Sequence, residues 1–349
     1  MSRRVQAVLV IGWFVAVLLL DESTHPSIVA GILYLFPVAL TGWTWGWRWA
    51  AVMAVVAFFC QLHSDLSYQS QVTDWQPVAA NEFLIGVMVV ATTVVSARLA
   101  HQQRVITAMR DVMARELDQA RALQEVLYRG VPRHPSLDLA TWFQPAGSLG
   151  GDAIKATLEG DLLMVALADV SGKGAPAALA ASVLIGLLAD APGRTSDPAQ
   201  VLAYLNERLA GHLEGEKFVT LFYMVLNLSD GSLTYASAGH EPVLLLDDGA
   251  FEELGATGVM LGVLSEAKYT QERRQLHSGD RVFGYTDGLV DAIRADGSRL
   301  GRMSVDELLV GAGEGSSIDL LGRLREHVGT AATTFPDDIT LMVLRWRSV

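Results

Sequence analysis

The sequence predicts two structural classes in one chain: an N-terminal all-α membrane bundle with four transmembrane helices, then an α+β domain of packed antiparallel sheets with outer helices. Three observations carry this division. Apolar runs of helical length lie before residue 100, and strand-length runs bounded by Gly and Asp turns fill the chain after residue 137. The charge splits as well. Residues 1–129 hold nine Arg, no Lys and nine acids, whereas the rest holds seventeen basic and twenty-nine acidic residues, the whole net charge of −12. A globular part this acidic repels nucleic acid, so no nucleic-acid partner is expected. A hydrophobic share of 51% and a mean hydropathy of +0.31 are high for a chain that meets only water. The single cysteine, Cys60, lies in an apolar run, which leaves neither a disulfide frame nor a Cys-type zinc site.

The four expected spans are Val5–Leu20, Ile28–Trp43, Trp49–Leu62 and Phe83–Ala97. Each is somewhat short of the roughly 20 residues that cross a bilayer core, and flanking Trp and polar residues are expected to supply the rest. Asp21-Glu22 follows the first run with no small-residue cleavage site, so that run reads as a retained helix and not a signal peptide. Arg3, Arg4, Arg48, Arg98 and Arg104 fall on one side of the spans, and Asp21, Glu22, Asp65 and Asp74 on the other. Basic loops stay cytoplasmic, which predicts a multi-pass protein of a cytoplasmic membrane with both termini inside. Trp43, Trp45, Trp47 and Trp49 crowd one short turn and read as an interfacial belt. Tyr34 to Ala39, with His63 and Asp65, resembles a small four-helix membrane sensor module found ahead of bacterial signalling outputs.

From Arg98 to Tyr128 no Pro or Gly interrupts, and Gly130 and Pro132 then end the helix. Ile106, Met109, Met113, Ala120, Leu123 and Leu127 fall at alternating three- and four-residue spacing, with Glu116 filling one seam position badly. This pattern predicts a parallel two-stranded coiled coil and hence a homodimer; the alternative is a helix packed only on its own C-terminal domain. The expected organisation is a four-span membrane sensor domain at 1–99, a helical linker at 100–130 and a globular α+β domain at 131–349.

In the C-terminal part, Leu137–Phe143, Leu162–Ala168, Phe218–Leu228, Ser232–Ser237, Val243–Leu246, Tyr269–Leu276, Arg281–Tyr285 and Ile339–Trp346 read as strands. Asp230-Gly231 marks a hairpin. Helices are expected at Ala175–Ala191, Pro198–Leu213 with Asp197 as cap, Val305–Gly311 and Ile318–Val328. Strands in runs and helices in separate blocks predict sheet-on-sheet packing with helices outside.

The chemistry centres on Leu162 to Leu179. A buried strand ends on Asp169, Val170-Ser171-Gly172-Lys173-Gly174 turns, and Pro176 sits in the first turn of a helix. Three further acidic signals accompany it: Gly150-Gly151-Asp152, Tyr285-Thr286-Asp287-Gly288 and Pro336-Asp337-Asp338-Ile339-Thr340. Carboxylates arriving together from separate strand ends suit Mg²⁺ or Mn²⁺, and their mutual repulsion itself argues for a cation. In such a two-metal site a bound hydroxide attacks phosphorus in line, and no Cys or Ser nucleophile is needed.

With Ser237-Ala238-Gly239-His240, these motifs in this order resemble the SpoIIE/RsbU-type branch of the PPM (PP2C-like) serine/threonine phosphatases, over about the last two-thirds of the chain. The resemblance implies an αββα sandwich, two Mn²⁺ or Mg²⁺ ions, and a phosphorylated STAS-type anti-anti-sigma protein as substrate. It implies that Asp169 bridges the metals, with the Val170 carbonyl serving one of them. Asp287 and Asp337 hold the other, and Asp152 ligates directly or through water. Asp338 competes with Asp337 for its place. His240 reads as structural or as an acid near the leaving group, and Lys173 as a phosphate guide or a solvent-facing cation. Lys155 departs from the family, which usually has an acid there. This departure sustains a rival reading, a non-catalytic membrane receptor whose phosphatase-like domain only binds a regulator; a hydrolase of small phosphoesters is a third.

Overall fold

The computed structural model describes residues 9–17, 19, 35–67, 76–128, 130–191, 195–211, 217–247, 250–311 and 315–348. The chain divides into two compact units, Met1–Ala114 and Arg115–Val349.

The first unit is helical, with residues 9–17, α1 (Leu35–Trp45), α2 (Trp47–Ser67) and the beginning of α3 (Gln76–Tyr128). Only Gly46, at a φ of 95°, parts α1 from α2. The tryptophans therefore lie on helix ends and not in a loop, with the rings of Trp45 and Trp49 edge to face at 6.3 Å. The fourth apolar run and the linker form one 53-residue helix. Among the described residues no helix is long and apolar enough to cross a membrane. The apolar runs are the reason. Trp49–Leu62 and Phe83–Ala97 stop several residues short of the roughly 20 required, and their helices continue into polar sequence. Residues 5–8, 28–34 and 68–75, parts of the first two runs and of the expected outer loop, lie outside the described residues.

The second unit holds two five-stranded antiparallel sheets. One has the order β1 (Leu137–Gln144), β10 (Ile339–Trp346), β9 (Arg281–Tyr285), β6 (Val243–Asp247), β7 (Ala250–Leu254). The other runs β2 (Ala153–Glu159), β3 (Leu162–Val170), β4 (Val219–Asn227), β5 (Ser232–Ala238), β8 (Glu272–Gln275). Strand periodicity explains the layers. Along β3, Leu163, Val165 and Leu167 join Val282, Met342 and Leu344 in the core between the sheets. The alternate Met164, Ala166 and Ala168 pack outward with α4 (Ala175–Asp190) and α5 (Pro198–Leu209). Both faces of β3 are thus covered, which is why its sequence is apolar throughout. On the other outer side α7 (Arg302–Gly311) and α8 (Ser317–Ala331) pack over Phe283, Leu341 and Val343. The result is an αββα sandwich.

Strands β2 and β7 and the short helix α6 (Asp287–Val290) were not expected from the sequence. Ala153-Ile154-Lys155-Ala156 has weak strand propensity, and pairing with β3 from Ala153↔Ala168 to Glu159↔Leu162 decides its state. Asp197 caps α5 as expected, its carboxylate accepting from the Gln200 amide at 3.1 Å. That helix ends at Leu209, and residues 212–216 lie outside the described residues.

Candidate active site

Antiparallel pairing sets the N-terminal end of one strand beside the C-terminal end of its neighbour. Asp152 immediately precedes β2, and Asp169 is the penultimate residue of β3; Ala153 pairs with Ala168. In the other sheet Asp287 opens α6 directly after β9, and Asp337 and Asp338 precede β10, where Leu341 pairs with Tyr285. All four motif acids therefore meet at one end of the sandwich, two from each sheet.

Hydrogen bonds tie the two sheets at this end. Asp152 is 1% exposed, and its Oδ2 accepts from the hydroxyls of Thr286 and Thr340, each at 2.7 Å. Thr286 stands at the cap position of α6 without capping it, because its hydroxyl is directed to Asp152. Asp338 accepts from the amides of Ala146 at 2.7 Å and Gly151 at 2.5 Å. Its carboxylate is thus a buried tie, while Asp337 beside it keeps 34% of its side chain exposed. The Gly150-Gly151 pair runs through a slot no side chain would fit. A Cβ on Gly150 would stand 2.6 Å from the Phe143 ring, and one on Gly151 2.9 Å from the Val170 carbonyl oxygen. Gly172 and Gly174, at φ of 102° and 72°, turn the chain from β3 into α4.

Burial and mutual repulsion dominate the electrostatics. Burial, then the neighbouring Asp169, hold the Asp152 carboxyl well above its ordinary range. Asp169 is pushed up to about 7, first by burial and then by Asp287, Asp337 and Asp338. Asp287 rises through burial, then through Asp337, Asp291 and Glu241. Among the described residues no three His, Cys, Asp or Glu side chains are grouped as a ready metal cage. The donor set nevertheless fits a hard dication. It is all oxygen, drawn from both sheets, and its charges repel one another without a cation between them.

Lys173 spans the rim, its ammonium 2.6 Å from the Pro336 carbonyl and 3.0 Å from Asp337. His240 is buried, with Nδ1 2.9 Å from the hydroxyl of Thr220, the strand partner of Asp169. Burial lowers its pKa to about 4, so the imidazole is neutral at physiological pH and has no proton to spare for a leaving group. Ser171 accepts from the Phe218 amide at 2.8 Å. Lys155 lies opposite Ala166 on the helix-covered face of its sheet, whereas Ile154 faces the inter-sheet core. Strand parity thus turns the departing residue toward the outer layer. The sequence reading missed Thr286, Thr340, Gln124 and Tyr128. The threonines stood inside the quoted motifs; Gln124 and Tyr128 carried no signal beyond helix propensity.

The sequence profile described as Stage II sporulation protein E (SpoIIE) matches residues 159–347, more than half of the chain. The chain belongs to the SpoIIE family. Its matched stretch includes Asp169, Asp287 and Asp337, while Asp152 lies just ahead of it. This SpoIIE-family chain is similar to phosphoserine phosphatase RsbU of Bacillus subtilis (strain 168), 29% identical over 269 residues, covering 76% of this chain and 78% of the relative. It is an enzyme of the protein phosphatase class. Its fold matches the SiaA-PP2C domain of Pseudomonas aeruginosa with a TM-score of 0.62 at 18% identity, covering 68% of this chain and 99% of that one. It also matches the RsbU and RsbW domains of Rv1364c from Mycobacterium tuberculosis, with a TM-score of 0.56 at 26% identity, over 63% of this chain and 64% of that one.

Proposed function

We propose that this SpoIIE-family member is a membrane-anchored, metal-dependent phosphatase that removes phosphate from phosphoserine or phosphothreonine on a STAS-type regulator. One observation carries the chemistry: four acids from separate motifs converge at one end of the sandwich, two from each sheet. Asp169, Asp287, Asp337, Asp152 and the Val170 carbonyl hold two Mn²⁺ or Mg²⁺ ions. When bound, the metals supply an activated water and neutralise charge on the phosphoryl oxygens. The chain's own groups prepare the site. Asp169 gives up a proton readily near neutral pH as cations arrive. Thr286 and Thr340 hold Asp152 from behind, and Asp338 fixes the glycine loop. Lys173, on the exposed rim, is placed to meet an incoming phosphate. The phosphoserine substrate is supported by the name of the Bacillus relative, and the STAS partner by the family resemblance.

The test uses the full-length protein and a phosphorylated STAS protein. Phosphate is released with Mn²⁺ and not with EDTA, and Asp169→Asn abolishes turnover while the circular dichroism spectrum is kept. A wild-type protein that binds the regulator without releasing phosphate would establish the receptor reading instead.

The N-terminal unit acts as the membrane anchor and sensor, with both termini cytoplasmic, and α3 joins two protomers. Support comes from side chains that water does not favour: Leu19, Phe59, Phe83 and Val90 are each more than 60% exposed, around a small core of Val17, Val38, Ala50 and Ala57. Ile106, Met109, Met113 and Leu123 of the seam are likewise exposed, as an unpaired coiled-coil face would be.

A further inference from the structure

The Gly150–Asp152 segment precedes β2, and its strand pairing begins only at Ala153. Its backbone polar groups are buried and need partners from elsewhere. Asp338 serves the Gly151 amide. Further partners come from the end of helix α3. Gln124 donates from Nε2 to the Gly150 carbonyl at 2.7 Å, and its Oε1 accepts from the Gly150 amide at 3.3 Å. One carboxamide thus meets both backbone groups of one residue, as a neighbouring strand would. The Tyr128 hydroxyl donates to the Asp152 carbonyl at 2.6 Å and accepts from Gln124 Nε2 at 3.0 Å. Gln124 is only 4% exposed. The Tyr128 ring packs edge-on against Phe143 at 5.0 Å, and Phe143 walls the glycine slot.

Beside these bonds lies a cavity of about 230 Å³, lined by Arg121, Gln124, Glu125, Tyr128, Phe143 and Ile154 among others. Leu127 and Tyr128 also pack on the hydrophobic core, and beside the cavity the hydrogen bonds add the directional hold that sets the rotation of the helix end. An α-helix turns about 100° per residue, so a one-residue rotation carries Gln124 out of reach and leaves buried backbone groups unpaired.

We propose that Gln124 and Tyr128 are positioning residues: the end of α3 acts as the missing strand partner of Gly150–Asp152, and Asp152 takes its place among the carboxylates only while that helix end is docked. The inference rests on the metal-phosphatase reading and names where the linker reaches the site, the glycine loop. It makes the docking of one helix turn a condition for metal binding.

The experiment compares full-length wild type with Gln124→Met, which keeps size and removes both amide bonds, and Tyr128→Phe, which removes one hydroxyl. Hydrogen exchange is measured across residues 146–152 in EDTA-treated protein, Mn²⁺ binding by calorimetry, and thermal midpoint by circular dichroism. Gln124→Met is expected to speed exchange in that segment at least tenfold and to weaken Mn²⁺ binding about tenfold. Tyr128→Phe is expected to do both by a smaller factor, with its thermal midpoint kept. Unchanged loop exchange and Mn²⁺ affinity in folded Gln124→Met would overturn the proposal. If Gln124→Met does not fold, the same null result in Tyr128→Phe overturns it. A lowered midpoint with wild-type Mn²⁺ affinity also overturns it, since the bonds would then be structural only. Loop exchange is read without metal, so a wild-type protein that fails to bind Mn²⁺ sinks the phosphatase reading while the exchange comparison still decides the helix–loop coupling.

Discussion

Replacing Thr340 by valine isolates one hydrogen bond at the heart of the site. Thr340 is fully buried, and valine puts a methyl where the hydroxyl stood at nearly the same volume. The change therefore removes one donor, 2.7 Å from Asp152 Oδ2, and little packing. Thr286 still donates to the same oxygen. A hydrogen bond to a charged group is worth about 1.5–3 kcal/mol, and about 1.4 kcal/mol is a factor of ten. Metal binding needs Asp152 ionised, so Mn²⁺ affinity near neutral pH should fall about ten- to a hundredfold. The sign of the pH dependence follows. The hydroxyl bonds favour the ionised carboxylate and work against the burial and the Asp169 charge that raise its pKa. Losing one raises it further, so the deficit is largest at pH 6.5 and shrinks at pH 8.5. Calorimetric titration with Mn²⁺ at both values, beside turnover, measures this. Equal affinity to wild type at both pH values would refute the reasoning, as would a collapse of the metal-free protein, which would mark the hydroxyl as a fold determinant.

Two other predictions concern pH and topology. Asp169 binds its proton up to about pH 7 in the folded protein, well above the 3.8 ordinary for an aspartate. The folded state therefore holds more protons than the unfolded one between these values, and metal-free stability falls as pH rises through that window. Thermal melts in EDTA should give a higher midpoint at pH 5 than at pH 8, with added Mn²⁺ reversing the order; a midpoint that rises with pH in EDTA contradicts the assignment. For the N-terminal unit, a reporter fused after Arg104 should be cytoplasmic, one inserted near Gln69 extracytoplasmic, and the detergent-extracted protein dimeric. Release by a salt wash, or the reverse reporter pattern, rules out the four-span anchor.

Much of the catalytic unit was legible in the chain because its signals are local. β3 is apolar at both parities, Asp169 closes it, and glycines with positive φ follow at once. Chain order alone gave the acid motifs and their strand-end positions, and the pattern of strands and helices gave the layered sandwich. The helical state of the described residues before 130 was legible too, but among the described residues no helix has the length and apolarity of a crossing. Apolar runs fix helicity, whereas the end of a helix depends on the polar sequence that continues it.

Only the tertiary structure decided how the acids are used. Asp337 and Asp338 are adjacent and chemically identical, yet one stands at the rim beside Lys173 and the other is spent on two backbone amides. Thr286 and Thr340 lie 134 and 188 residues from the carboxylate they serve. Gln124 reads as an ordinary helix residue until the fold sets it against Gly150. A buried carboxylate takes its donors from whatever the packing brings within 3 Å, and contacts at such separations leave no periodicity or local motif to read. The sequence determined which groups carry charge and at which strand ends they stand; the closure of two sheets against each other determined which charges stay free to act.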